Sequence, residues 1–407
     1  MKEYSRYVSV NQEKQQKINR ALVINLLRQE KLCSRADLAN LSGLKRATIT
    51  NIINEFMEYD LVVEDGILDG ARGRRSIGIR VNGQKYRTIG VMITRQYYSI
   101  GMMGISGEVY TTRTYQIEKG KNPDWVIEEM KNNIREMIES ARDSRILAMG
   151  IAVPGPYERC GDKMIFVTNL AGWDGIEIAM HMKKDFDIPV FVENDANAGA
   201  CAQLWFHGGK LSQQNIAYIV AGQGIGCGII LNGELQKGSI GIAGEIGHTS
   251  INYQGPQCEC GNRGCLEKYC SSIAVMNSIR ERLEKGEASV LGMNAKFQDF
   301  AEAVRQGDAV AQDEYRKACE FLAMGIVNMI NQINPSEVII GDILTEVEPE
   351  LLLKIVRHKV KEIVRPMVWE HLKIELNRLE YNPIMIGAGV IAAQEVFENP
   401  ISYMEKA

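Results

Sequence analysis

Apolar residues recur at helical spacing through residues 16–28, where Ile18, Leu22, Ile24, Leu26 and Leu27 make one broad face and predict an amphipathic helix. Ser34 is placed to cap a second, short helix containing Leu38, Ala39 and Leu41. Ser42-Gly43-Leu44 then turns the chain into a third helix over 45–59, in which Ile49, Ile52, Ile53 and Phe56 face inward. Two short strands, 61–64 and 76–80, flank a Gly- and Arg-rich tip. From Arg87 the texture changes. Strands are predicted at 88–93, 98–103, 146–153, 190–193 and 216–220, with a long amphipathic helix over 123–142. A Gly-rich loop follows residue 220, and beyond residue 265 the pattern is helical apart from a strand at 337–340. A small helical head thus precedes an α/β body.

The order helix, helix, Gly-containing turn, helix is that of a helix-turn-helix. Its third helix carries Lys45, Arg46, Thr48, Thr50 and Asn51 on the polar side, side chains that reach phosphates and base edges. The tip Gly70-Ala71-Arg72-Gly73-Arg74-Arg75 makes the following hairpin a wing, with Arg72, Arg74 and Arg75 suited to a narrow minor groove. The bland alternative is a compact helical domain with a solvated basic loop. Charge favours DNA: residues 1–80 hold 14 Lys/Arg against 10 Asp/Glu, the remainder 33 against 41.

At 407 residues, 45% hydrophobic and 24% charged, the chain has material for two or three folded units. It contains no eighteen-residue apolar run, and residues 1–16 lack an apolar signal segment, so no membrane span and a cytoplasmic location are expected. Nine cysteines in that compartment do not make a disulfide framework. Three crowd into Cys258-Glu259-Cys260-Gly261-Asn262-Arg263-Gly264-Cys265, with His248 just upstream. Three thiolates and one imidazole form a closed tetrahedral donor set, which points to structural Zn2+ at His248, Cys258, Cys260 and Cys265.

Taken together, Glu193-Asn194-Asp195-Ala196-Asn197-Ala198, Asn169-Leu170-Ala171-Gly172-Trp173, Glu245-Ile246-Gly247-His248 and the stretch 255–267 resemble the ROK family of repressors and sugar kinases, along essentially the whole chain. A winged helix ahead of such a body resembles its regulatory branch, with 252–267 nearest the xylose-repressor type. The resemblance implies an α/β, two-lobed actin-like (ribonuclease H-like) sugar-kinase fold holding sugar in its cleft. The head would span 1–80, the first lobe 81–200 and the second 201–407, with the final helix returning to the first lobe. It also implies that Asn194, Asp195, Glu245, His248 and Glu267 bind sugar. His248 would use one nitrogen for sugar and the other for zinc, and Asp195 would be the catalytic base if the chain were a kinase. Read singly, Asn194 and Asp195 are equally suited to cap a helix, and Glu245 and Glu267 to be exposed carboxylates.

Kinases of the family open their body with D-x-G-x-T, where this chain has Met92, Thr94 and Arg95. Losing that carboxylate removes a contributor to phosphoryl transfer. Gln223 in the second glycine loop and Asp342 after Gly341 depart in the same direction. The expectation is a sugar-responsive repressor acting on operator DNA as a homodimer or homotetramer, with a sugar kinase and a protein-responsive binding protein as the alternatives.

Overall fold

The computed structural model describes residues 11–69, 75–118, 120–155, 157–158, 163–164, 172–173, 175–207 and 214–405. The head opens with α1 (Gln12–Glu30), capped by Asn11, whose side chain accepts from the Lys14 N–H at 2.8 Å. The stripe of α1 that packs is Val23, Ile24 and Leu27, while Ile18 and Leu22 stay 46% and 38% exposed. The small three-helix core covers only the second half of α1. Ser34 caps α2 (Arg35–Ser42) in a reciprocal box with Asp37, and the helix ends at Gly43 with φ 70°, where a side chain would be strained. Helix α3 (Arg46–Glu58) buries Ile49, Ile52, Ile53 and Phe56 as its spacing predicts. Strands β1 (Val62–Asp69) and β2 (Arg75–Val81) pair antiparallel with Val62 opposite Val81.

The chain leaves α3 through Asp60, a non-glycine residue at φ 55°. That turn is tied down on several sides. Asn82 donates to the Asp60 carbonyl at 3.0 Å, the Lys85 ammonium meets the Asp60 carboxylate at 2.5 Å, and the buried Tyr86 hydroxyl donates to the Tyr59 carbonyl. Arg145 in turn donates its backbone N–H to the Lys85 carbonyl at 2.7 Å and its guanidinium to the Tyr403 carbonyl at 2.8 Å.

Two five-stranded sheets form the body. The first, in spatial order β5-β4-β3-β6-β9, uses β3 (Tyr86–Ile93), β4 (Tyr97–Gly104), β5 (Val109–Gln116), β6 (Arg145–Val153) and β9 (Val190–Asn194). The second, β12-β11-β10-β13-β14, uses β10 (Ile216–Ala221), β11 (Ile225–Leu231), β12 (Glu234–Leu235), β13 (Glu337–Gly341) and β14 (Lys373–Leu376). Counted within each sheet, the order is third, second, first, fourth, fifth in both. The same topology has been built twice. A short pair, β7 (Tyr157–Glu158) with β8 (Lys163–Met164), stands apart.

Helices α4 (Pro123–Glu139) and α5 (Ile178–Lys183) belong with the first sheet region, while α6 (Asp195–Phe206) follows β9 directly. Beyond β12 come α7 (Glu267–Cys270), α8 (Ser272–Glu284), α9 (Phe297–Gln306) and the long α10 (Ala309–Ile333). Then α11 (Pro349–Ile363), α12 (Pro366–Glu370), α13 (Pro383–Glu398) and α14 (Pro400–Glu405) complete the chain's described helices. The chain divides into two compact units. One comprises the residues up to Ile151, Ala179–Phe191 and the residues from Ala388, so the head packs with the first sheet; the other comprises Ala152–Ile178 and Val192–Gly387. In the first unit Thr88 donates to the Gly389 carbonyl at 3.1 Å in a fully buried bond, and a side chain on Gly150 would overlap the Ala388 carbonyl. In the second, Ile219, Phe300, Tyr315, Leu322 and Ile340 anchor one continuous apolar core.

Besides the two-residue strands β7, β8 and β12, three strands lie outside the sequence expectation. β5 reads Val-Tyr-Thr-Thr-Arg-Thr-Tyr-Gln and is polar on one face because it closes the sheet edge. β11 occupies most of the stretch expected as a Gly-rich loop. β14 is four residues long and exists because β13 offers it a parallel edge.

Candidate ligand, metal and nucleic-acid sites

Strand β9 runs straight into α6, and the junction is built by side chains. The Asn194 carboxamide oxygen accepts from the Ala196 and Asn197 N–H groups at 2.9 and 3.2 Å, the N-cap of α6, while its nitrogen donates to the Gly155 carbonyl at 2.9 Å. Any ligand contact by Asn194 therefore falls to its nitrogen. Asp195 is half-buried and accepts from the Ala196 N–H at 2.7 Å. The glycines of β11 let α6 come close: a Cβ on Gly228 would overlap the Ala196 carbonyl, and one on Gly226 would sit 3.2 Å from the Ala196 methyl.

A second segment supplies the remaining carboxylates. Gly244, at φ 90°, accepts through its carbonyl from the Cys227 N–H at 3.0 Å, and Glu245 and the single 3₁₀ turn Ile246–His248 follow at once. Burial, with the nearby charges of Asp195 and Glu267, pushes the Glu245 carboxyl up to about 7. The His248 ring lies between two of these acids, Nε2 3.9 Å from Glu245 and Nδ1 3.6 Å from Glu267. Asp195, Glu245, His248 and Glu267 are thus gathered by the fold into one acceptor-rich cluster, which is what a polyol needs.

Through the same Nδ1 that faces Glu267, the His248 imidazole also meets the cysteines. One ligand atom from each of His248, Cys258, Cys260 and Cys265 lies within 4.8 Å of every other. The Cys258 Sγ to His248 Nδ1 distance is 3.7 Å, and Cys260 Sγ to Cys265 Sγ is 3.6 Å. With metal–sulfur bonds of about 2.3 Å and metal–nitrogen bonds of about 2.0–2.1 Å, the edges of a tetrahedron come out at about 3.5–3.8 Å. The donor set fits a metal ion. The backbone wraps it tightly: Cys258 accepts from the Gly261 N–H at 3.0 Å with Gly261 at φ 91°, and a side chain on Gly264 would overlap the Asn252 carbonyl.

On the head, Lys45 occupies the N-cap of α3, and Lys45, Arg46, Thr50 and Asn51 are exposed while Thr48 is half-buried. Ala47 and Asn54, not anticipated from the sequence, share the exposed face; helical spacing from Thr50 and Asn51 would have found them. Arg75 is exposed at the start of β2, and Arg72 and Arg74 lie outside the described residues. The Asn169-Leu170-Ala171 segment lies outside them too.

Met92 is buried in β3, 2% exposed, and the turn after it is closed on itself. The Thr94 hydroxyl donates to the Tyr97 carbonyl at 2.8 Å and accepts from the Gln96 and Tyr97 N–H groups at 3.2 and 3.0 Å. In the other unit, Asp342 stands at φ 78°, ψ 179°, and a Cβ on Gly222 would overlap its carboxylate.

Comparison with known proteins places these features in context. The model of the ROK family matches residues 88–395. The xylose repressor of Caldicellulosiruptor bescii is 29% identical over 391 residues, 94% of this chain and 97% of that protein. The glucokinase of Thermotoga maritima is 29% identical over 325 residues, 78% of this chain and 99% of that one. A solved ROK family transcriptional regulator, described as a homolog of the Escherichia coli MLC protein, superposes with a TM-score of 0.81 at 27% identity, covering 96% of this chain and 99% of its own.

Proposed function

The chain belongs to the ROK family, and from that premise we propose that it is a sugar-responsive repressor of carbohydrate-utilisation genes. Operator DNA is bound by the winged helix, and sugar bound at Asp195, Glu245, His248 and Glu267 changes operator affinity. One observation carries this reading. Similarity to the xylose repressor extends over 94% of the chain and so takes in most of the head, whereas similarity to the glucokinase leaves a stretch about the size of the head unmatched.

Each element then has a role. Lys45 and Arg46 meet phosphates at the α3 N-terminus, Thr50 and Asn51 reach base edges, Thr48 supports them from the flank, and Arg72, Arg74 and Arg75 enter the minor groove. Asp195, Glu245 and Glu267 accept sugar hydroxyls, with Asn194 contributing its nitrogen. The metal is structural Zn2+, held by His248, Cys258, Cys260 and Cys265; its chemistry is to fix the imidazole ring in one orientation. The active form is a homodimer or homotetramer that matches a palindromic operator. Among the described residues no helix is long and apolar enough to cross a membrane, which supports action in the cytoplasm.

The retained Asp195 and the glucokinase similarity favour a second reading, a sugar kinase with a DNA-binding head, in which Asp195 is the general base. Buried Met92, the closed Thr94 turn and Arg95 stand against it, since none supplies the metal-binding carboxylate or the open space that phosphoryl transfer needs.

The test is a thermal-shift screen of metal-loaded protein against pentoses, hexoses, N-acetyl hexosamines and ATP–Mg, followed by operator titration with and without each sugar that binds. D-Xylose is the first candidate. Stabilisation by one sugar, none by ATP–Mg, and a sugar-dependent change in operator affinity support the repressor. A sugar that binds and leaves operator affinity untouched rejects it, and turnover of ATP moves the conclusion to the kinase.

A further inference from the structure

Glu193 is the β9 residue just before Asn194 and Asp195; its side chain is 2% exposed and its carboxylate is shared three ways. Oε1 accepts from the Asn194 N–H at 3.1 Å and from the Asn197 carboxamide at 3.0 Å, and Oε2 lies 2.8 Å from the Lys237 ammonium. Lys237 comes from another part of the unit, the loop after β12. Its carbonyl accepts from the Ala243 N–H at 3.1 Å, and that loop runs on through Gly244 into Glu245 and His248. The two stretches that carry the candidate ligand residues are therefore bridged by an ion pair whose carboxylate is buried and whose lysine side chain is 25% exposed. Gly238, Gly241 and Gly244 all have positive φ, so the loop between Lys237 and Glu245 has few side chains of its own with which to hold its place.

We propose that Lys237 is a positioning residue for the ligand site, holding the Asn194–Asp195 turn and the Glu245–His248 segment in register through the carboxylate of Glu193. The proposal rests on the reading of those residues as the sugar site. A neutral side chain at 237 leaves a buried carboxylate without its counter-charge, and the two segments then have no direct bond between them at this point. Arginine keeps the charge and a donor; methionine keeps only the length.

The experiment compares the full chain with K237M, K237R, E193Q and the K237M/E193Q double variant. D-Xylose and D-glucose are titrated by calorimetry, bound metal is counted by elemental analysis, and amide hydrogen exchange is followed without sugar. K237M and E193Q each weaken sugar binding by about tenfold or more, the double variant loses no more than either alone, and K237R recovers most of the loss. Exchange quickens in 194–197 and 238–248 and stays unchanged in α10 and β13, with metal content preserved. Uniformly faster exchange with lost affinity assigns Lys237 a merely structural role, and additive losses break the link between the two residues; either overturns the proposal. If the unaltered chain binds neither sugar, the sugar reading is decided by the wider panel, and the exchange pattern alone decides whether Lys237 sets the register.

Discussion

The buried Tyr86 hydroxyl donates to the main-chain carbonyl of Tyr59, fastening the end of α3 to the first strand of the body. With the Lys85–Asp60 pair and the Asn82 bond to the Asp60 carbonyl, it makes the joint between head and first lobe a fixed one. Exposed ion pairs contribute little by themselves, so the buried tyrosine carries most of this joint. Tyr86→Phe is expected to cost about 1 kcal/mol in chemical denaturation. It should also shrink the difference in operator affinity with and without sugar, read by fluorescence anisotropy. An undiminished difference would mean that the joint transmits nothing.

Asp342 lies in a backbone region that is nearly reserved for glycine, and its side chain repays part of that strain by accepting from the Ile343 N–H at 2.8 Å. Asp342→Ala keeps the strain and loses the bond; Asp342→Gly loses both. The glycine variant should therefore be more stable than the alanine variant by about 1–3 kcal/mol in urea or guanidinium midpoints. Equal stabilities would show that the backbone relaxes elsewhere.

Gly228 lets the Ala196 carbonyl approach β11, and Ala196 follows Asp195. Gly228→Ala forces either the strand or the first turn of α6 to move, at a cost of about 1–3 kcal/mol. Because the displaced turn is the one that presents Asp195, sugar affinity should fall along with the melting temperature. Loss of stability with intact sugar affinity would separate the helix start from the ligand site.

Removal of the metal should be felt at two places. Dialysis against a strong chelator is expected to release one equivalent of zinc per chain and lower the melting temperature, with recovery on adding zinc back. Sugar binding should fail in parallel, because the ring of His248 then loses the bond that orients it between Glu245 and Glu267. Cys265→Ser, at a buried ligand, should reproduce both losses. A chain that carries no metal as purified and binds sugar normally would reject the structural role.

What the sequence revealed, and what it concealed, follows from the range of the interactions involved. Helix α3, the Ser34 cap and the Cys258–Cys265 turn are local patterns, written within a dozen residues, and they were legible. β14 was not, because four residues between helices become a strand only when β13 lies beside them. The glycines at 226 and 228 were read as a loop; they are strand residues kept bare by α6, a neighbour thirty positions away. Glu193 opens the 193–198 motif, but nothing in the sequence pairs it with Lys237; only the folded chain brings their side chains together. Asn194 suits either a ligand contact or a helix cap in sequence, and the oxygen of its carboxamide caps α6.

The bonds from Thr88 to Gly389 and from Arg145 to Tyr403 also order events on the ribosome. The head, most of the first sheet and α4 emerge early, but α14 and the part of α13 that bond to that sheet are made only after the second unit. At roughly 5–20 residues per second, synthesis takes on the order of ten to fifty seconds to go from Ile151 to Ala388. Throughout that interval the sheet that anchors the head lacks the bonds from α13 and α14. A nascent chain therefore has helix α3 tens of seconds before it has all the contacts that brace the sheet on which the head is mounted.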